Sequence, residues 1–146
     1  MSILRSLRLV TVTAILALTL PAVAAGPAND PVSGLPLPPG VAASNDPINL
    51  SICGHPGQAN QYAFLRTTVA AEIAWFKDHL PGYKLYHAFW NNRSQDTFYS
   101  PDGTKAVNIT GIPNSDGAFS LMYMQFKTGL TEHQRESFSP SNPTCK

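Results

Sequence analysis

Charge is scarce in this chain: Asp, Glu, Lys and Arg make up 13% of its 146 residues. They form no basic stripe along which a phosphate backbone could run, so no nucleic-acid partner is expected. Catalytic signatures are missing as well. No serine stands in a G-x-S-x-G elbow, and there is neither a P-loop nor a Gly-rich dinucleotide fingerprint. The enzyme classes built on those turns are set aside. The four histidines, His55, His79, His87 and His133, are scattered along the chain. Cys53-x-His55 offers two ligand types for a metal, but a disulfide at Cys53 removes the thiolate that a metal requires. No metal and no cofactor is implied. No internal repeat and no coiled-coil heptad is present, and the apolar run Leu9 to Leu20 is too short to act as a stable bilayer anchor.

That run instead belongs to a leader. Arg5 and Arg8 precede it and Pro21-Ala22-Val23-Ala24-Ala25 follows it, the pattern of a secretory signal peptide over residues 1–25 with cleavage after Ala24 or Ala25. A secreted or periplasmic protein without a membrane span is expected. Without the two leader arginines the ten basic residues fall to eight against nine acidic ones, a net charge near −1. About 121 residues remain, enough for one domain with one core. The chain's two cysteines, Cys53 and Cys145, both survive cleavage, and in an oxidising compartment they are expected to form a disulfide.

Residues 26–47 read as a Pro-rich arm, with six prolines from Pro27 to Pro47 favouring extended backbone. Leu35, Leu37 and Val41 give it an apolar side, so it is expected to dock from about Leu35 onward. Ile48 to Cys53 alternates as a short strand, Gly54-His55-Pro56-Gly57 breaks it, and Tyr62 to Arg66 reads as a second short strand. Thr68 to Leu80 is the clear amphipathic helix: Val69, Ile73, Phe76 and Leu80 share one stripe, Thr67 or Thr68 can cap it, and Pro81-Gly82 ends it. Tyr83 to Trp90, Thr97 to Ser100, Ala106 to Ile112 and Ala118 to Lys127 read as strands separated by turn residues, among them Pro101-Asp102-Gly103-Thr104. Short connections require antiparallel pairing. Residues 48–128 therefore make an α+β domain, a single helix packed on one face of a four- to five-stranded antiparallel sheet. Residues 129–146 are a polar tail tied back by the disulfide, with Glu132 to Glu136 a solvated turn.

The order of a short strand, a helix closed by Leu80-Pro81-Gly82-Tyr83-Lys84 and a meander with Asp-Gly turns resembles small exported bacterial domains. It also resembles, in architecture, the helix-gripping sheets of cystatin-like inhibitor and binding domains. The resemblance carries over no functional residue.

Both faces of the sheet look apolar. Tyr86 and Trp90 on one strand, and Met122, Met124 and Phe126 on the last, would point away from the helix, so something must cover that second face: the arm and tail, a second protomer or a ligand. On the helix, Trp75 and His79 share a side turned away from the core stripe; Trp75 either packs beneath the prolines of the arm or anchors a partner. Candidate partner-binding residues are thus Trp75, His79, Tyr86, Trp90, Met122 and Met124. The chain reads as a secreted or periplasmic non-catalytic binding protein engaging a protein or envelope component, with a homodimer as one form of that. One alternative is a ligand-binding protein or enzyme with a pocket between helix and sheet, where Tyr83 and Phe89 wall His87 and Asp96 pairs with it as in a general base. The other is a structural accessory subunit of an envelope complex.

Overall fold

A computed structural model describes residues 28–41, 46–63, 66–139, 142–143 and 145; the leader at 1–25 lies outside them. Six strands form one antiparallel sheet: β1 (Ile48–Ile52), β2 (His55–Ala63), β3 (Lys84–Trp90), β4 (Arg93–Tyr99), β5 (Lys105–Gly111) and β6 (Ala118–Phe126), in the order β1-β2-β6-β5-β4-β3. Helix α1 (Val69–His79) lies between β2 and β3 in the chain and α2 (Glu132–Ser137) follows β6. The α+β class holds, with a six-stranded sheet, two helices and a further antiparallel pair of two-residue strands, Phe138–Ser139 with Asn142–Pro143, where a sheet of four to five strands and one helix were expected.

The differences come from turn chemistry. Cys53 and Gly54, with φ of 51° and 80°, and Asn91 and Asn92, with φ of 49° and 57°, are the paired left-handed residues of two-residue hairpin loops, whose twist matches that of the flanking strands. Gly54-His55-Pro56-Gly57 therefore does not interrupt a strand. His55 already pairs with Ile52, and β2 covers most of what reads as a loop before Tyr62. Pro56 is tolerated because it sits at the end of the sheet, where its carbonyl alone is used, by the Lys127 amide at 2.8 Å. Likewise β4 starts at Arg93, not Thr97, because the turn consumes only Asn91 and Asn92.

Thr68 caps α1, its hydroxyl accepting the Ala71 amide at 3.1 Å. The helix buries Glu72 and Phe76, with Leu80 following at the cap, so a carboxylate stands in the line that meets the sheet. Val69 and Ile73 are half-buried beside it. Phe76 packs against Phe98 and Tyr123, with Val107, Ile109 and Leu121 completing the layer. Each such large side chain contributes about 1.5–3 kcal/mol on burial.

The Pro-rich arm docks on this same helix-bearing face. It engages the domain before Leu35, since Asp30 is completely buried and accepts from Asn60 and Tyr62. Asn29 bridges Pro36, and Leu35 joins the core. The second face is covered in part by the segment after β6. Leu130 packs with Ile52, Tyr99, Met124 and Phe126, and its amide donates to the Gly103 carbonyl at 3.1 Å. Glu132 to Glu136 is a helical clamp rather than a solvated turn: Glu132 receives Lys84 Nζ and, at 2.9 Å, the Tyr86 hydroxyl, and Arg135 donates to the Ser100 carbonyl at 3.2 Å. The Cys53–Cys145 disulfide closes the segment back onto the β1–β2 loop. Among the described residues no helix is long and apolar enough to cross a membrane.

Candidate interaction surface

Because α1 carries the chain across the sheet, β3 ends at its edge; among the described residues its one hydrogen-bonded strand neighbour is β4, and the two-residue strand Phe138–Ser139 after α2 also lies against it. Trp90 and Arg93 flank the two-residue loop and form the hydrogen-bonded pair that closes it. By the alternation of an antiparallel ladder, Lys84, Tyr86, Ala88 and Trp90 bond inward to β4, while the amides and carbonyls of Leu85, His87 and Phe89 point outward. Such an edge is a template for another strand.

The side chains of this edge are unusually apolar. Phe89 is 69% exposed and Trp90 39%, on opposite faces of the strand, and Ile112 in the β5–β6 loop is 40% exposed. Phe89 and Ile112 flank a cleft of about 270 Å³ whose other walls are Asn92, Ser94, Asn114 and Ser115. Three of the four large exposed hydrophobic residues among those described therefore gather at one end of the sheet; the fourth is Ile48. A larger, open cleft of about 730 Å³ lies at the opposite edge, where Asn49, Gln58 and Gln125 present a row of amides beside Lys127.

The sequence candidates separate. Tyr86 and Trp90 both lie on β3. The Tyr86 ring meets Tyr99 edge-on at 5.5 Å and its hydroxyl is held by Glu132. Burial, then that carboxylate, raises the Tyr86 pKa, while Lys84 first and Tyr86 next hold Glu132 below the usual carboxylate range. Met122 is half-buried and Met124 fully buried, facing Ala59 and Ala106 across the strands, which removes Met124 from any exposed surface. Trp75 and His79 stand together on α1. Their rings stack at 3.9 Å, His79 Nδ1 lies 2.7 Å from the Trp75 carbonyl, and Trp75 packs on the core cluster that includes Leu35.

His87 does pair with Asp96, at 2.7 Å between Nδ1 and Oδ1. Its side chain is nevertheless 62% exposed on the strand edge, and the space between α1 and the sheet is filled by Phe76, Leu80 and Phe98. The Phe89 cleft does not include His87. Among the described residues no three His, Cys, Asp or Glu side chains gather as a metal site.

Two features escaped the sequence. Phe89 reads as a wall of an inner pocket, whereas the edge position of its strand exposes it. The middle of the second face is polar: Asn108 donates to Thr97 at 2.8 Å, and Thr110 donates toward Gln95 and Asn108. Gln95, Thr97 and Asn108 are each 1% exposed. Their alternation with Phe98, Val107 and Ile109 is the signal that could have placed them there. Compared with family models, curated proteins and solved structures, the chain finds no match.

Proposed function

We propose that this chain is an extracytoplasmic, non-catalytic binding protein that takes an extended protein segment onto the outer edge of β3. The observation that carries this reading is the edge itself: seven residues, with outward-pointing backbone groups at Leu85, His87 and Phe89 and exposed aromatic anchors at Phe89 and Trp90. Strand addition of this kind draws affinity from main-chain hydrogen bonds and specificity from side chains at alternate positions. Edge strands that must stay single are usually short, charged or interrupted by proline. β3 has one lysine, at its end and engaged by Glu132. The leader and the disulfide support an oxidising compartment.

The test places a photo-crosslinking benzoylphenylalanine at position 89 in the exported protein. Irradiation is expected to give one discrete protein adduct, lost when Leu85→Pro removes an outward amide. Irradiation that yields no adduct above background sinks the reading.

A further inference from the structure

We infer that the cleft between the β3–β4 and β5–β6 loops is a binding site for a neutral sugar that carries an N-acetyl group. The inference rests on the lining of that cleft and not on the β3 edge. Phe89, Asn92, Ser94, Ile112, Asn114 and Ser115 enclose about 270 Å³, and neither α2 nor Phe138–Ser139 contributes a wall. None of the six side chains is charged, so the cleft offers nothing to neutralise an anion or a cation. They combine two apolar surfaces with two amides and two hydroxyls. Each amide presents an acceptor and two donors, and each hydroxyl both donates and accepts. Hydroxyl and acetamido groups use that mixture, which a purely apolar ligand would leave unpaired. Phe89 and Ser94 are direct partners across the β3–β4 ladder, so an exposed ring and a hydroxyl stand side by side. The ring takes the C–H face of a sugar, Ile112 takes the acetyl methyl, and the asparagine amides meet the acetamido group. The volume is just under the roughly 300–1,000 Å³ of pockets that hold drug-sized ligands, so the cleft takes one sugar residue and leaves the rest of a chain outside.

The walls are built before a ligand arrives. The Ile112 amide donates to the Gly117 carbonyl at 2.7 Å, the Ser115 amide to the Ile112 carbonyl at 3.3 Å, and the Gly117 amide to the Ser115 hydroxyl at 3.0 Å. Asn92 and Asn114, at φ of 57° and 58°, hold left-handed backbone that asparagine tolerates. Gly111 keeps the floor open, because a Cβ there would lie 2.2 Å from Ser94 Oγ. Among the described residues the side chains of Asn92, Ser94 and Asn114 make no hydrogen bond, so their polar groups are available to a ligand. A preformed site loses little freedom on binding. The cleft at the opposite edge also has amides, but its one ring, Phe126, is 2% exposed and Lys127 adds a charge.

Titration of the isotope-labelled, disulfide-intact protein with N,N′-diacetylchitobiose, followed by backbone and asparagine side-chain amide resonances, tests this. Saturable shifts at Phe89 and in the two loops are expected at millimolar sugar. Cellobiose, the same disaccharide with hydroxyls in place of the acetamido groups, should bind about tenfold more weakly. Phe89→Ala should weaken binding of the acetylated sugar about tenfold, and because Phe89 is 69% exposed the variant should keep its fold. Asn114→Gly keeps the left-handed backbone and removes the amide, so it should erase most of the preference for the acetamido sugar while leaving cellobiose binding unchanged. The dispersion of the amide spectrum shows whether each variant is folded; if Asn114→Gly is not, the two sugars compared on the natural chain decide. No saturable shift with diacetylchitobiose, shifts beside Lys127 instead, or equal affinity for the two disaccharides overturns the inference. The adduct at position 89 with a protein partner is a separate readout, so edge binding stands or falls without the sugar result.

Discussion

The Tyr62 hydroxyl donates to the Asp30 carboxylate at 2.9 Å, joining the Pro-rich arm to β2 across 32 residues of sequence. Asp30 is completely buried and also accepts from Asn60 Nδ2 at 2.8 Å and from the amide and hydroxyl of Ser33, each at 2.7 Å. A buried carboxylate survives only when its oxygens are satisfied in this way. Burial of the phenol, and then the carboxylate, hold the Tyr62 pKa well above its ordinary value.

Asp30→Ala should cost about 2–4 kcal/mol, because Tyr62 and Asn60 would both be left buried without their acceptor. Urea unfolding measures the loss. Limited proteolysis should show residues 28–41 cleaved earlier than in the natural chain. An arm as resistant as before would mean that Leu35 and Tyr123, whose hydroxyl donates to the Pro36 carbonyl at 2.9 Å, hold it unaided.

Replacing the disulfide by Cys53→Ser with Cys145→Ser should lower stability by about 2–4 kcal/mol, since the bridge closes a loop with a sequence separation of 92. Proteolysis should begin after α2. An unchanged denaturation midpoint would show that Leu130 and the Glu132 and Arg135 contacts suffice to dock the tail.

Gly103 has φ of 69°, and a Cβ there would lie 2.4 Å from the Leu130 carbonyl oxygen. Gly103→Ala should therefore combine a left-handed backbone penalty with displacement of the tail, about 2 kcal/mol in total. Thermal unfolding reads the cost. The exposure of Tyr99 that follows tail displacement should appear as a change in tyrosine fluorescence.

Glu72 carries a pH signature. Burial is the main cause raising its pKa, and a hydrogen bond from Thr67 opposes it. A carboxyl whose folded pKa lies above the unfolded value holds its proton longer in the native state. Its contribution to stability therefore falls as pH rises through and beyond the ordinary value of 4.5. Glu72→Gln should raise the melting temperature at neutral pH, and the gain should vanish below pH 4.5. A gain independent of pH would assign the effect to packing instead. Asp102 has the opposite sign. The hydroxyl of Ser100 and then the amide and hydroxyl of Thr104 hold its pKa at about 2, so its contribution is lost only as pH falls from 3.8 toward that value.

The sequence by itself determined the local units. The stripe and Thr68 set α1, Pro81-Gly82 closed it, and the alternation of Val107 and Ile109 marked the helix-facing side of β5. Two cysteines and no others implied the bridge that forms. These features depend on neighbours in sequence or on counting. Tertiary structure alone decided which strands pair and what covers each face. The β2–β6 ladder joins residues some sixty positions apart, and it is this pairing, together with the crossing of α1, that leaves β3 outermost. The same aromatic strand would have been fully covered in the middle of the sheet. Its alternation is identical in either place, so composition could mark Tyr86, Phe89 and Trp90 as unusual without showing that their strand lies outermost in the sheet.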